Sequence, residues 1–186
     1  MKLNASQLRT ASQDEVKPLV ERNPIYFILE NIYDTYNVGG IFRLADALNV
    51  EKIYLCGQTE VPPNSKIKKA SIGTYKIVPW EYKTTAKEAV EDIKSKLKTQ
   101  KSKKKLQATS YKLQVIAVEQ DKRSIPYTQI DYKSPVALLV GNETYGVLPE
   151  TLDLVDQIAE IPMWGINKSL NVIVSAAIVA YHVMGK

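Results

Sequence analysis

Three loops of this 186-residue chain place polar side chains beside glycine, which lets a backbone approach a ligand closely. They are residues 30–43, 141–146 and 162–171, and each follows an apolar run that is typical of a buried strand. In the last loop, Ser169 and Asn171 open the first turn of a predicted helix, where free backbone N–H groups also point. These residue types suit a ligand seat, and they equally suit an N-cap on a core helix.

The segments that must position these loops alternate between strand-like and helix-like patterns. Strands are predicted at Ile25–Leu29, Lys52–Cys56, Lys76–Pro79, Leu113–Val118, Val136–Val140 and Ile158–Ile161. Helices are predicted after Asn37 as a natural N-cap, from a capping box at Thr85–Glu88 toward Leu97, from Pro149, and from Leu170 to Met184. The alternation implies an α/β fold with a mostly parallel sheet flanked by helices. Ligands of such sheets bind beyond the carboxyl ends of the strands, where all three loops fall.

The run from Leu170 to Met184 has almost no charge. It is too long for a typical strand and too short for a membrane span. A helix that is apolar on nearly every face must be buried on nearly every face. We therefore predict a final helix that is covered all round.

Composition narrows the chemistry that the loops could perform. The only cysteine, Cys56, excludes an internal disulfide and a cysteine-rich zinc site, and its place at a strand end indicates a structural thiol. The only histidine, His182, lies on the final helix, so Cys–His and Ser–His–Asp chemistry are disfavoured. The loops match no dinucleotide fingerprint, P-loop or metal-binding carboxylate cluster. They indicate a nucleotide-like ligand and no metal.

The net charge of +5 comes from one stretch of the chain. Residues 94–105 hold seven lysines and no acid, and the rest of the chain has 18 basic against 20 acidic residues. Such a patch is the footprint expected for a phosphate backbone, although a solvated loop has the same composition.

The length suits a single domain. Residues 1–22 are predicted to form a short helical extension, and residues 23–186 form the domain proper. The N-terminus lacks the apolar core of a signal peptide, which favours a cytoplasmic protein.

The three loops carry a family resemblance. Asn37-Val-Gly-Gly-Ile-Phe-Arg43-Leu-Ala-Asp46, Leu139-Val-Gly-Asn-Glu143-Thr-Tyr-Gly146 and Ile161-Pro-Met-Trp-Gly-Ile-Asn-Lys-Ser169-Leu-Asn171-Val resemble three motifs. They are the motifs of the SpoU (TrmH-type) family of RNA ribose 2′-O-methyltransferases, in the SPOUT superfamily. The motifs stand in the family's order and spacing, and the resemblance spans residues 24–184.

This resemblance implies a fold, a donor and an assembly. The fold is an α/β knot, in which the last helix is threaded through a loop to form a deep trefoil. The methyl donor is S-adenosyl-L-methionine, and no metal takes part. The enzyme works as a homodimer, with each site completed across the interface, and an apolar final helix fits such a face.

The resemblance also assigns roles to residues of this chain. The residues that it implies to be catalytic are Asn37, Arg43, Glu143, Ser169 and Asn171. The residues that it implies to line the donor pocket are Leu139, Gly141, Ile161, Met163 and Leu170. The core catalytic positions are all intact, which disfavours a protein that binds RNA without methylating it and a nucleotide-binding enzyme of another family.

The proton acceptor is the open part of the implied mechanism. A guanidinium almost never gives up its proton, so our hypothesis is that Arg43 clamps a phosphate and orients the ribose hydroxyl. Glu143 is the other possible base, and we favour a role in hydrogen-bonding loop amides. Asn37 could likewise be only a helix cap.

Some positions depart from the family pattern. Ile173 stands where a small polar residue is frequent, and His182 stands where an acid is common, so we expect changes in packing or interface. Tyr36 stands where histidine is frequent, and its ring could stack on a base.

The substrate implied by the resemblance is RNA, with tRNA favoured over rRNA. We expect no large RNA-binding domain of the kind that some relatives carry, so residues 1–22 and two lysine clusters are expected to grip the substrate. The lysines assigned to this role are Lys66, Lys68, Lys69, Lys101, Lys103, Lys104 and Lys105.

Overall fold

The structure, a computed structural model, describes residues 2–10, 21–104 and 112–185, with only the backbone at 100–104. Lys105 and most of the second half of the predicted N-terminal extension lie outside the described residues. No helix in the described ranges is both long and apolar enough to cross a membrane.

The described residues form strands and helices in alternation. The strands are β1 Asn23–Glu30, β2 Val50–Cys56, β3 Trp80–Lys83, β4 Gln114–Val118, β5 Ile125–Pro126, β6 Val136–Val140 and β7 Gln157–Glu160. The helices are α1 Ala5–Thr10, α2 Thr35–Ala47, α3 Ser65–Ser71, α4 Ala86–Lys104, α5 Pro149–Leu152 and α6 Val172–Met184. Two short 3₁₀ turns, Thr74–Lys76 and Tyr127–Gln129, complete the set.

The seven strands pair in the order β3-β2-β1-β6-β4-β7-β5, and every pairing is parallel. The central strands read as unbroken apolar runs because both of their faces are covered. Side chains of α2, α3 and α6 pack on one face, and side chains of α4 and α5 pack on the other. The mostly parallel α/β sheet is therefore confirmed, whereas the trefoil knot stays a prediction.

One expected strand is absent at its predicted place, and one short strand was missed. Residues 76–79 do not form a strand, because the Thr74 carbonyl accepts hydrogen bonds from the N–H groups of Ile77 and Val78 and turns the chain. The strand begins one residue after Pro79, at Trp80. The two-residue strand β5 at the sheet edge was not predicted, since so short a segment has no periodicity to detect.

Helix α6 is not covered all round, contrary to the expectation from its composition. Only Ala176, Val179 and Ala180 are buried. Val174 is 45% exposed and Tyr181 is 57% exposed. The helix lies on the outside of the sheet, so the described chain covers one of its faces and leaves the other apolar face bare.

Ile173 and His182, which depart from the family pattern on α6, and the cysteine Cys56 have packing roles. A Cβ on Gly40 would lie 2.3 Å from the Cδ1 atom of Ile173, so Ile173 fills the space above α2. The His182 ring lies edge-on to the rings of Tyr127 and Tyr132, at centroid distances of 5.2 and 5.7 Å. Cys56 is fully buried, and burial raises the pKa of its thiol to about 12, as expected for a structural residue.

A charge cluster ties α4 to the sheet. The carboxylate of Glu81 on β3 lies 2.7 Å from Lys83 Nζ, 2.9 Å from Lys96 Nζ and 3.0 Å from Lys52 Nζ. Hydrogen bonds from these lysines, Lys83 first, lower the pKa of Glu81 from 4.5 to about 2. A carboxyl group with a depressed folded-state pKa stabilises the fold above its unfolded pKa, and this contribution is lost as the pH falls.

We therefore expect Glu81→Gln to remove part of the acid sensitivity of the protein. Between about pH 4.5 and 2, the wild-type free energy of unfolding should fall more steeply than that of the variant. The difference should stay below about 1 kcal/mol because solvent screens this partly exposed cluster. Urea unfolding at stepped pH measures it, with Glu91→Gln as the exposed control. Parallel pH profiles of wild type and Glu81→Gln would contradict the assignment.

Candidate functional site

A cavity of about 740 Å³ opens at the carboxyl edge of β6, β4 and β7. Its size lies within the range of small-molecule sites. The first turn of α2 and the residues before α6 form the rest of its wall. Each of the three loops predicted to carry the site contributes to it.

A hydrogen-bond network joins the three loops at the cavity. The Asn37 side chain is 5% exposed, and its Nδ2 donates to Glu143 Oε1 at 2.8 Å. Its Oδ1 accepts from Asn171 Nδ2 at 3.0 Å. A single buried amide therefore fixes one residue from each of the three motifs, as an amide can both donate and accept.

Asn37 is not the N-cap of α2, contrary to the sequence-based interpretation. The helix begins at Thr35, and the Asp34 side chain caps it by accepting from the N–H of Tyr36 at 2.8 Å. Both residue types suit an N-cap, and Asp34 stands at the position where the chain turns. The Asn37 side chain is consequently free to bond with Glu143 and Asn171.

Glu143 faces donors of its own chain. Besides the Asn37 amide, its carboxylate accepts from the N–H groups of Tyr33 and Asp34, both at 3.4 Å. These contacts hold the loop after β1 against the turn after β6. They are the bonds to loop amides that we favoured for this residue.

Asn171 and Ser169 differ in their placement. Asn171 caps α6, since its Oδ1 accepts from the N–H of Ile173 at 2.9 Å. Ser169 precedes the helix and does not lie in its first turn, which corrects the sequence-based expectation. Ser169 lines the cavity as an exposed residue, and its N–H donates to Asn167 Oδ1 at 3.3 Å.

Four of the five residues assigned to the donor pocket line the cavity: Gly141, Ile161, Met163 and Leu170. Leu139 does not, and that assignment is corrected. Its side chain is fully buried in the core on the α4 side of the sheet, and its neighbour Val140 lines the cavity instead. Side chains alternate along a strand, so a shift of one residue changes the face.

The turn after β6 can form only with glycine at its two ends. A Cβ on Gly141 would lie 2.3 to 2.4 Å from backbone atoms of Gly146 and Val147. Gly146 has a φ of +72°, which other residues rarely adopt. Two backbone hydrogen bonds between Asn142 and Gly146, at 3.0 and 2.8 Å, close this turn.

The sequence analysis missed the wall formed by Val118, Glu119 and Gln120. These residues follow β4, so the rule that sites lie at carboxyl ends of strands could have found them. The Glu119 carboxylate accepts from the N–H of Val147 at 3.0 Å, and Gln120 Nε2 donates to the carbonyl of Lys168 at 2.6 Å. They connect the loops after β6 and β7.

Arg43 lies apart from the other predicted catalytic residues. It follows Asn37 by six positions on α2, which is about 240° around a helix. It does not line the cavity, its side chain is exposed, and it has no hydrogen bond or ion pair with any described residue. One chain thus brings Asn37, Glu143, Ser169 and Asn171 together and leaves Arg43 outside.

The two lysine clusters lie at different places. Lys66, Lys68 and Lys69 are exposed on α3. This helix touches the first half of α2, since a Cβ on Gly39 would lie 2.5 Å from the Ala70 Cβ. The α3 lysines therefore lie beside α2, the helix that carries Asn37.

Helix α4 carries the second cluster away from the cavity. It follows β3, precedes the parallel strand β4 and so runs antiparallel to the sheet. Its 19 residues run from Ala86 through Leu97 to Lys104. The backbone of Lys101, Lys103 and Lys104 lies at the far end of this helix, and Lys96 is already bonded to Glu81 and Asp92.

The charged residues that line the cavity are Asp34, Glu119, Glu143 and Lys168. The excess of carboxylates suits a ligand with positive charge. Among the described residues, no group of three His, Cys, Asp or Glu side chains could hold a metal ion.

Comparison with known proteins places these features in a family. The model of the SpoU rRNA Methylase family matches residues 24–181. A tRNA (guanosine(18)-2'-O)-methyltransferase of Aquifex aeolicus is 31% identical over 82% of this chain, and one of Escherichia coli K12 is 29% identical over 88%. The chain spans 65% of the length of each of these relatives.

Solved structures agree with the fold. The AdoMet-bound rRNA methyltransferase from Sinorhizobium meliloti is 27% identical, with a TM-score of 0.72 over 94% of this chain and 60% of its own. The A. aeolicus TrmH/SpoU tRNA modifying enzyme is 25% identical, with a TM-score of 0.73 over 97% of this chain and 81% of its own.

Proposed function

Because this chain belongs to the SpoU rRNA methylase family, we propose that it methylates a ribose 2′-hydroxyl of RNA with S-adenosyl-L-methionine as donor. The observation that carries the proposal is the Asn37–Glu143–Asn171 network at the cavity. The names of the relatives, which are tRNA and rRNA 2'-O-methyltransferases, support it. Because the relatives of known tRNA activity are more similar to this chain, tRNA is the favoured substrate.

The residues of the cavity fit the donor. Gly141 allows the tight turn after β6 that walls the cavity, and Ile161, Met163 and Leu170 supply apolar contacts. The carboxylates of Glu119 and Glu143 favour a cationic sulfonium over a neutral nucleoside. When bound, S-adenosylmethionine supplies the electrophilic methyl group.

The chain's own residues must align the ribose hydroxyl and let its proton leave. The Asn37 amide is held by Glu143 and Asn171, so its position costs no reorganisation when substrate arrives. Ser169 is exposed at the same mouth and can hydrogen-bond to the substrate. We assign Arg43 to the phosphate and the proton to phosphate or water, because guanidinium is always charged.

Arg43 of one chain then serves the cavity of a second copy. Within one chain it faces away from its own cavity, on the outer side of α2 with Tyr36 and Gly40. That side continues onto α6, where Ile173 packs over Gly40. The bare apolar face of α6 begins there, so a homodimer through α2 and α6 would cover that face and deliver Arg43.

The α3 lysines hold the RNA in this proposal. Carboxylates outnumber cations in the cavity, so phosphates must be held outside it. Lys66, Lys68 and Lys69 lie on the helix that packs against α2, whose first turn lines the cavity, whereas the α4 lysines lie at the far end of α4.

Substitution of Lys66, Lys68 and Lys69 together by alanine should raise the KM for RNA about 10-fold at moderate salt and leave donor binding unchanged. The slope of RNA affinity against salt should fall as well. The matched control is the triple alanine substitution of Lys101, Lys103 and Lys104, with a smaller expected effect. The reverse ranking of the two variants would assign RNA binding to α4.

Incubation with methyl-labelled S-adenosylmethionine and RNA that lacks its own modifications tests the proposed function. Digestion to nucleosides should place the label in a 2′-O-methylnucleoside. Donor binding without transfer to tRNA or rRNA would favour a protein that binds RNA without methylating it. Absence of donor binding would overturn the proposal.

A further inference from the structure

Exposed aromatic side chains concentrate on the three loops that wall the cavity. Six aromatic residues among those described are more than a third exposed, and four of them lie on the three loops or the first turn of α2. These four are Tyr33, Tyr36, Tyr145 and Trp164. Single exposed tyrosines are ordinary, but several exposed rings on the loops that wall one cavity indicate a binding surface.

Two of the four are held by the same turn. Asn142 Oδ1 accepts from the N–H groups of Thr144 and Tyr145 at 2.9 and 3.0 Å, which fixes the backbone that carries Tyr145. The N–H of Tyr33 donates to Glu143 on that turn. Tyr33 and Tyr145 therefore stand at fixed backbone positions beside the catalytic network.

The rings of these two residues have no partner within the chain. Tyr145 is 81% exposed and Tyr33 is 51% exposed. Neither ring pairs with another aromatic ring, and neither hydroxyl is hydrogen-bonded, in the described part of the chain. Packing of this chain therefore does not explain them.

The proposed dimer does not cover Tyr145 either. The residues directly after its turn, Val147 and Leu148, donate their N–H groups to Glu119 and Glu30, on the side of the sheet edge that carries α5. The bare face of α6 and the outer side of α2 lie on the other face of the sheet. Tyr145 is available to substrate in the assembled protein.

We propose that Tyr145, with Tyr33 on the adjoining loop, stacks on a base of the RNA adjacent to the ribose that is methylated. This rests on the proposed function, because a ribose at the mouth of the cavity brings its own and neighbouring bases to this rim. Carboxylates of the cavity disfavour phosphate contact here, whereas every base has an apolar face that can stack on a ring. Tyr145 and Tyr33 position the RNA, and the α3 lysines attract its phosphates without regard to base sequence.

Binding of short single-stranded RNAs that carry one 2-aminopurine tests the role of Tyr145, because stacking quenches the fluorescence of this base. The wild type and Tyr145→Phe should quench it, and Tyr145→Leu should lose most of the quenching. RNA affinity should fall about 5- to 100-fold in Tyr145→Leu, in line with stacking on one base. Tyr82→Leu, at an exposed tyrosine on β3, is the matched control and should behave as wild type.

The methylation assay is run beside the binding assay so that the two proposals fail separately. Donor affinity should be the same in all variants, and kcat/KM for RNA should fall in Tyr145→Leu with the quenching. Equal quenching by wild type and Tyr145→Leu, or none by either, overturns the stacking role. Wild type that stacks RNA but transfers no methyl group overturns only the proposed function.

Discussion

Replacement of Arg43 by alanine should lower methyl transfer by about 100-fold or more, the loss expected for a positioned charged donor in an active site. Arg43 is exposed and has no hydrogen bond or ion pair with described residues, so its removal should leave the free energy of unfolding unchanged. Single-turnover methylation and urea unfolding measure the two quantities. Arg43→Lys should recover little, because an ammonium cannot form the planar fork of a guanidinium.

The position of Arg43 makes a sharper test possible. A chain with Arg43→Ala has an intact cavity but lacks the arginine that its partner needs. A chain with Asn37→Ala has the arginine but a damaged cavity. Each homodimer should therefore be inactive. Mixed after joint unfolding and refolding, they should regain about a quarter of wild-type activity, since half of the dimers are mixed and each has one complete site. No recovery would show that Arg43 acts on its own chain, and full activity of Arg43→Ala alone would remove it from the mechanism.

The sequence could predict the sheet and the three loops because apolar periodicity and glycine placement are local signals. It predicted the central strands since they are buried on both faces, as Val136–Val140 is. It also gathered Asn37, Glu143 and Asn171, which the structure joins by hydrogen bonds. The second success follows because parallel strands end at one edge of the sheet.

The failures have physical reasons. Asp34 and Asn37 are both good capping residues three positions apart, and only the path of the chain decides between them. Leu139 and Val140 are both apolar, and only the pleat of the strand decides which one faces the cavity. The position of Arg43 relative to the cavity depends on which face α2 turns toward the cavity, and the motif does not specify that face.

The exposed apolar face of α6 is the basis of the second prediction, which concerns assembly and activity. Val174, Ile178 and Tyr181 follow each other at intervals of four and three residues, so they form one stripe on the helix. Val174 and Tyr181 are each about half exposed, and the stripe lies opposite the buried residues Ala176, Val179 and Ala180. A contiguous apolar stripe on a surface helix is costly in water unless another surface covers it.

A charge in the middle of this stripe, Ile178→Asp, should convert the proposed dimer to a monomer and abolish methyl transfer, because an unpaired carboxylate cannot be buried in an apolar interface. The monomer should stay folded, since Ile178 is not part of the buried core. Analytical ultracentrifugation and circular dichroism measure the two properties. Leu154→Asp, at an exposed apolar residue elsewhere, is the control and should stay dimeric and active. A folded Ile178→Asp monomer with full activity would show that one chain holds the whole site, and Arg43 would then need a path into its own cavity that the fold does not provide.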